Sequence, residues 1–279
     1  MRDCLLSPSI VQPGWHASMR LRFARDGDTT RLVERRHEGP LRVQKALYPE
    51  GPGVCHAVLV HPPGGVAGGD VLDIGVQAGP GARTLLTSPG AAKWYRANGR
   101  PARQQVRLDA LSGASIEWLP QETILYDGAD VTLEHEVDLG LDATYIGSEI
   151  LCFGRAASGE RFTRGALRQR TRIRHGGRLV WHEQGRLAGG AALDSPLALG
   201  GRHVCATLVG VGRPAPAALL ASLRAGDAAL GVTQLKSVFV ARYLCDDSEA
   251  ARHAMARVWT ALRPHLLGLE ARAPRIWNT

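Results

Sequence analysis

Acidic side chains set among glycines and apolar residues carry most of the chemical potential of this 279-residue sequence: Asp70, Glu122, Asp127, Asp130, Glu149, Glu160 and Glu183. Oxygen and imidazole ligands, with no thiolate beside them, would hold a borderline divalent ion loosely, which suits transit better than storage. For any one of these acids a salt bridge or a turn hydrogen bond is the plainer role. A closed zinc site is not expected, because the ten histidines form no H-x-x-x-H pattern and pair with none of the cysteines. Two acids facing across a groove can cut a glycosidic bond, so Glu122 and Asp127 keep a β-scaffold glycoside hydrolase open as the alternative. Gly-x-Ser-x-Gly is absent, and with it the nucleophile elbow of the α/β-hydrolases. The loop from His61 to Asp70 invites a phosphate-binding reading but lacks G-x-G-x-x-G spacing, Gly-Lys-Ser/Thr and a following helix. Its glycines instead suggest a tight loop with close backbone approach. No catalytic set emerges, and the chain reads as a non-enzyme without a tightly bound cofactor.

The elements that must position these residues are short apolar or alternating runs separated by Gly, Pro and Asp from about residue 20 to 245, the signature of many strands joined by turns. In the clearest, Val131, Leu133, His135, Val137 and Leu139 alternate with Thr132, Glu134, Glu136 and Asp138, giving one buried and one wet face. Further strands are predicted over Val54–Val60, Val71–Val76, Thr84–Thr87, Val106–Leu111, Ile116–Leu119, Ile146–Phe153, Val204–Val211 and Ser237–Leu244. Leu167 to Glu183 reads as a hairpin turning at His175-Gly-Gly-Arg178, with Arg168, Arg170, Arg172 and Arg174 sharing a face. That face is a solvated strand surface or a dock for an acidic partner. No fixed-period repeat is visible.

Two helices are expected towards the C-terminus. Pro214 to Gly226 has proline near its start and glycine at its end. A second spans about 248–267, with Asp246 or Asp247 as N-cap and Glu249 in the first turn. Ala251, Met255, Val258, Trp259, Leu262 and Leu266 form one stripe, read as core or as a partner-binding face centred on Met255, Trp259 and Leu262. Pro264 should kink or interrupt the helix after Arg263. The whole is read as one domain over residues 1–279, with a β-rich body at about 20–245, the helix and a tail.

The net charge of +8 and pI of about 9.7 would attract an anionic surface. Nucleic acid is not the expected partner, since the basic residues are scattered arginines with only Lys45, Lys93 and Lys236 beside them and few aromatics to stack bases. Cys4, Cys55, Cys152, Cys205 and Cys245 are widely spaced, odd in number and free of any C-x-x-C pair, which argues against a disulfide framework. Arg2 with only Leu5-Leu6 behind it makes no leader, and no apolar run nears the ~18 residues of a membrane span. A cytoplasmic location is expected.

Five phrases then stand out in order: His61-Pro-Pro-Gly-Gly-Val-Ala-Gly-Gly-Asp70, Thr87-Ser-Pro-Gly-Ala-Ala-Lys-Trp-Tyr-Arg96, Trp118-Leu-Pro-Gln-Glu-Thr-Ile-Leu-Tyr-Asp-Gly-Ala129, Gly154-Arg-Ala-Ala-Ser-Gly-Glu-Arg-Phe162 and Arg272-Ala-Pro-Arg-Ile-Trp277. Together they resemble the urease accessory protein UreD family, called UreH in some organisms, over about residues 20–279. Trp94 and Tyr126 stand where many relatives would carry Phe. The resemblance implies a mainly β fold, an irregular β-helix-like stack of many short strands with two α-helices toward the C-terminus. It also implies a metallochaperone scaffold that works with UreF and the GTPase UreG, docks on the urease apoprotein and passes transient Ni²⁺ toward the carbamylated-lysine active site. GTP hydrolysis would belong to UreG. An internal water-filled channel in the family would give Asp70, Glu122, Glu149 and Glu183, with His61 as auxiliary ligand, a role in nickel transit. Met255, Trp259 and Leu262 would be the contact with UreF if the helical stripe docks.

Overall fold

The computed structural model describes residues 14–278; Cys4 and the amino-terminal Arg2, Leu5 and Leu6 lie outside the described residues. Strands come first: β1 (His16–Asp26), β2 (Thr29–Glu38), β3 (Arg42–Val43), β4 (Cys55–Val60), β5 (Val71–Ala78), β6 (Arg83–Thr87), β7 (Ala92–Trp94), β8 (Ala102–Ala110) and β9 (Ser115–Leu119). Then follow β10 (Thr123–Leu125), β11 (Asp130–Leu139), β12 (Thr144–Phe153), β13 (Ala166–His175), β14 (Arg178–Ala188) and β15 (Val204–Val211). Helix α1 (Ala217–Gly226), β16 (Leu230–Leu235), β17 (Val238–Cys245) and α2 (Ser248–Leu267) complete the order. The first strand begins at His16, ahead of the expected start near Arg20, because Ala17, Met19, Leu21 and Phe23 already alternate into the core.

Two sheets face each other. The seven-stranded sheet runs β14-β13-β11-β8-β5-β1-β2, and the main path of the ten-stranded sheet runs β16-β17-β15-β12-β9-β6-β4-β3. The chain passes from a strand of the first sheet through a tight turn to a strand of the second, then returns to pair in parallel with the previous strand, as β5, β8 and β11 do. This is a stack of coils, the solenoid-like arrangement that the family resemblance implies. The repeat has a structural signature that period-hunting misses: Ala82, Ala114 and Ala143 occupy the same turn in successive coils and are buried. The amide of Ser115 donates to the Ala82 carbonyl (2.9 Å) and that of Thr144 to the Ala114 carbonyl (3.0 Å), so the turns stack on each other.

Side-chain alternation divides each sheet. The inner faces share one apolar core that includes Phe23, Leu86, Leu108, Ile116 and Val131. On the outer face of the seven-stranded sheet, Arg168, Arg170, Arg172 and Arg174 do share one side, as the hairpin reading requires. Each meets an acid of β11: Arg168 with Asp130 (2.5 Å), Arg170 with Glu134 (2.6 Å), Arg172 with Glu136 (3.8 Å) and Arg174 with Asp138 (3.7 Å). Parallel pairing of β11 with β13 sets this ladder, so these guanidinium groups already face carboxylates of their own chain.

The outer face of the other sheet is covered by the helices. Leu119, Ile146, Ile150, Leu208 and Phe239 meet Met255, Val258, Trp259 and Leu262 in a second core. Asp247 caps α2, accepting from the Glu249 amide at 2.9 Å. The helix is not interrupted at Pro264 but continues to Leu267, where Gly268 ends it in a left-handed conformation. A proline so near the end removes a bond only from the last turn, while Leu262, Arg263 and Leu266 remain buried and hold the helix on course. Helix α1 starts at Ala217, three residues after Pro214, with Pro216 at its N-cap. Among the described residues no helix is long and apolar enough to cross a membrane.

Candidate functional site: a cavity between the sheets

The two inner faces do not meet along their whole length. Between them lies a cavity of about 970 Å³ that runs along the stack from β4 and β5 towards β14 and β17. At its early end the walls are apolar, with Leu72 and Ile74 facing Leu86. There it reaches the loops that hold His61, Gly64, Gly65 and the segment Ser88–Lys93, where Gly64 and Lys93 are exposed. At its late end polar groups join apolar ones such as Trp181, Leu187 and Leu199, and it reaches the surface beside Leu197 and Arg242, which are exposed, and Glu183.

Three side-chain bridges cross this late half from sheet to sheet, and the period-two alternation of their strands makes each possible. His135 on β11 meets the hydroxyl of Tyr145 on β12 at 2.8 Å. Tyr145 lies over Gly147, where any Cβ would overlap its ring. Gln169 on β13 donates its side-chain N–H to Glu149 on β12. Arg242 on β17 donates to Glu183 on β14. Thr207 stands between Glu149 and Arg242 in the strand register, so one face carries a row of carboxyl, hydroxyl and guanidinium.

Burial shapes the electrostatics. It holds the His135 imidazole down to about 4, so this ring is neutral at pH 7. It pushes the Glu149 carboxyl up to about 7, the Gln169 bond opposing and the nearby Glu183 charge reinforcing the rise. Near neutrality the buried Glu149 carboxyl therefore keeps its proton more readily than a free glutamate does. Burial also raises the Cys205 thiol to about 11, which leaves it a neutral lining group. Among the described residues no three His, Cys, Asp or Glu side chains converge closely enough to hold a metal ion as a closed site.

Of the residues singled out for nickel transit, Glu149, Glu183 and His61 line this cavity; Asp70 and Glu122 do not. Asp70 accepts from the backbone amides of Trp15 and Ala67, each at 2.8 Å, and so ties its glycine loop together. Glu122 faces α2 and lies 3.6 Å from Arg252. His61 is half-buried, and burial lowers its pKa against the raising effect of Asp70. Asp127, the partner of Glu122 in the hydrolase reading, accepts from the amides of Thr163 (2.8 Å) and Arg164 (2.9 Å) and pairs with the Arg164 guanidinium. Both acids of that reading are thus engaged with their own neighbours. Met255, Trp259 and Leu262 are 3%, 2% and 0% exposed, which places them within this chain's core.

Sequence reasoning passed over His135, Gln169 and Arg242 at the cavity, and Arg263 beneath α2. His135 had a readable signal, a polar residue on the buried side of an alternating strand. Arg263 is fully buried, donating to Glu117 (2.9 Å) and twice to Glu50 (2.6 and 2.8 Å). Glu117 also accepts from the Trp259 indole at 2.6 Å, and Glu50 contacts His56 at 2.6 Å. Burial pushes the Glu117 carboxyl up against the pull of Arg263; at Glu50 burial acts the same way, but the bonds from His56 and Arg263 outweigh it and hold that carboxyl lower.

The ordered phrases of the sequence build the early mouth and its surroundings. A Cβ on Gly68 would overlap the Ala97 carbonyl and one on Gly65 the Tyr95 ring, so the glycine loop is packed directly against the segment that follows Thr87. The Tyr126–Ala129 stretch is clamped by the next phrase: Arg155 lies 4.5 Å over the Tyr126 ring, and the Asp127 amide donates to Glu160 at 3.1 Å. The final phrase reaches back to Thr87, whose hydroxyl accepts from the Trp277 indole at 2.7 Å.

Comparison with known proteins bears out the resemblance that these phrases carry. Residues 16–278 match the family model described as UreD urease accessory protein. A urease accessory protein UreD of Janthinobacterium sp. (strain Marseille) is 56% identical over 94% of this chain and 91% of its own length. Those of Nitrosospira multiformis and Azoarcus sp. (strain BH72) are 53% and 52% identical, covering 94% and 96% of this chain and 97% and 96% of their own lengths. The chain belongs to the UreD family of urease accessory proteins.

Proposed function

We propose that this chain, a urease-maturation factor by its family, is a non-catalytic conduit that works with UreF and UreG on apo-urease and lets Ni²⁺ pass through its interior. The observation that carries this reading is the cavity with Glu149 and Glu183 in its late half. Moving a dication out of water is costly unless fixed oxygen donors replace part of its hydration shell. Glu149 and Glu183 supply charge, while Gln169, Thr207 and Tyr145 supply neutral oxygens. The absence of a closed ligand set among the described residues fits a cargo that must leave again. Nickel is here the cargo and not a resident cofactor.

The test is co-expression of the Glu149→Ala, Glu183→Ala double variant with the urease subunits and the other accessory proteins. The variant should still be recovered with UreF, UreG and urease by affinity purification, while the purified urease contains several-fold less nickel. Normal nickel content in urease matured by the variant would refute the conduit.

A further inference from the structure

The three bridges across the cavity are not alike. The His135–Tyr145 and Gln169–Glu149 bridges lie inside, whereas Arg242 and Glu183 stand at the late mouth with side chains 46% and 30% exposed. Arg242 and Glu183 belong to different sheets, and their pairing spans the opening between β14 and β17. So exposed an ion pair adds little to stability and exchanges readily with solvent. Its position still places a positive charge at this opening, two strands from Glu149 with Thr207 between them in register.

We propose that Arg242 is a tethered surrogate cation that keeps this mouth closed to free dications. The inference rests on the conduit reading, because it assigns the control of that same cavity. While the guanidinium sits on Glu183 it satisfies the carboxylate and repels an incoming divalent ion. A dication held at Glu149 gains the mouth by taking the place of Arg242 on Glu183, and the guanidinium turns outward into water. The charge at the mouth then changes from that of an ion pair to that of a metal carboxylate, and no covalent bond is made or broken. Arginine suits this role better than lysine would, since its planar fork stays charged at every relevant pH and covers a carboxylate edge.

The full-length chain and its Arg242→Met variant would be compared by equilibrium dialysis against Ni²⁺, with circular dichroism confirming that both are folded. Removing the guanidinium should tighten nickel binding at least tenfold, and adding Glu183→Gln should return it to the wild-type level. Arg242→Lys, which keeps the charge but not the fork, should fall between. Unchanged nickel affinity in folded Arg242→Met, or tighter binding that survives Glu183→Gln, would overturn the latch. The conduit reading fails separately: if the Glu149, Glu183 double variant matures urease with normal nickel while Arg242→Met still binds nickel tightly, transit is wrong and the latch stands.

Discussion

Replacing Arg263 by methionine tests whether the inner face of α2 is an integral part of the fold. The guanidinium is 0% exposed and joins Glu117, Glu50 and the Glu270 carbonyl, so its loss strands two buried carboxylates at once. Breaking a buried ion pair on one side costs about 3–5 kcal/mol, because the remaining charge has neither water nor partner. Here the Trp259 indole still serves Glu117 and His56 still serves Glu50, which places the expected loss within that span and not above it. Against a domain stability of roughly 5–15 kcal/mol this is a large fraction, and the urea midpoint should fall steeply. Two further measurements isolate the cause. The loss should shrink at pH 5, where an orphaned carboxyl can take up a proton, and Glu117→Gln in the methionine background should recover part of it. A loss below about 1 kcal/mol, or no recovery in the double variant, would refute the idea that this cluster fastens α2 to the sheets.

Two predictions concern pH, with opposite signs. The Glu149 carboxyl is raised from its ordinary value to about 7, so its contribution is complete below about pH 4.5 and is lost as pH rises through 7, a change of about 3 kcal/mol. Urea unfolding at pH 5 and 8 should show that Glu149→Gln flattens this slope; an identical slope in both proteins would contradict the burial argument. Asp127 runs the other way: burial would raise it, but the bonds from Arg164 and Thr163 prevail and hold it at about 2, so its stabilisation is complete above about pH 4 and fades as pH falls through 2. Asp127→Asn should cost about 1–2 kcal/mol at pH 7, allowing for solvent screening, and nearly nothing at pH 2, as thermal melts would show.

The strand pattern was legible where alternation was strict. Val131 to Leu139 lies within β11 with the faces as expected, and the turn at His175–Arg178 joins β13 to β14. Short strands such as β7 and β10 escaped notice, because three residues carry no period and are fixed by parallel neighbours from other coils. The same limit governs the site. Asp70, Glu122, Glu149 and Glu183 look alike as acids among apolar or glycine-rich neighbours, yet the second pair points into the cavity while the first is consumed by local bonds. What separates them is the direction of each side chain once coils have stacked, a long-range property. Arg263 was closer to hand: it follows Trp259 by one helical turn and lies beside Leu262, so a charge on an apolar stripe could have signalled a buried counter-charge.

The stacked alanine turns have a consequence for how such a chain can change. Because Ala82, Ala114 and Ala143 superpose at successive corners and pass backbone bonds from one layer to the next, a whole layer could be gained or lost while those on either side kept their alignment. Insertion of one residue at such a corner would instead turn the following strand over, exchanging its wet and dry sides. The length of the interior passage is thus open to variation in units of a layer, whereas its cross-section is fixed by the corners.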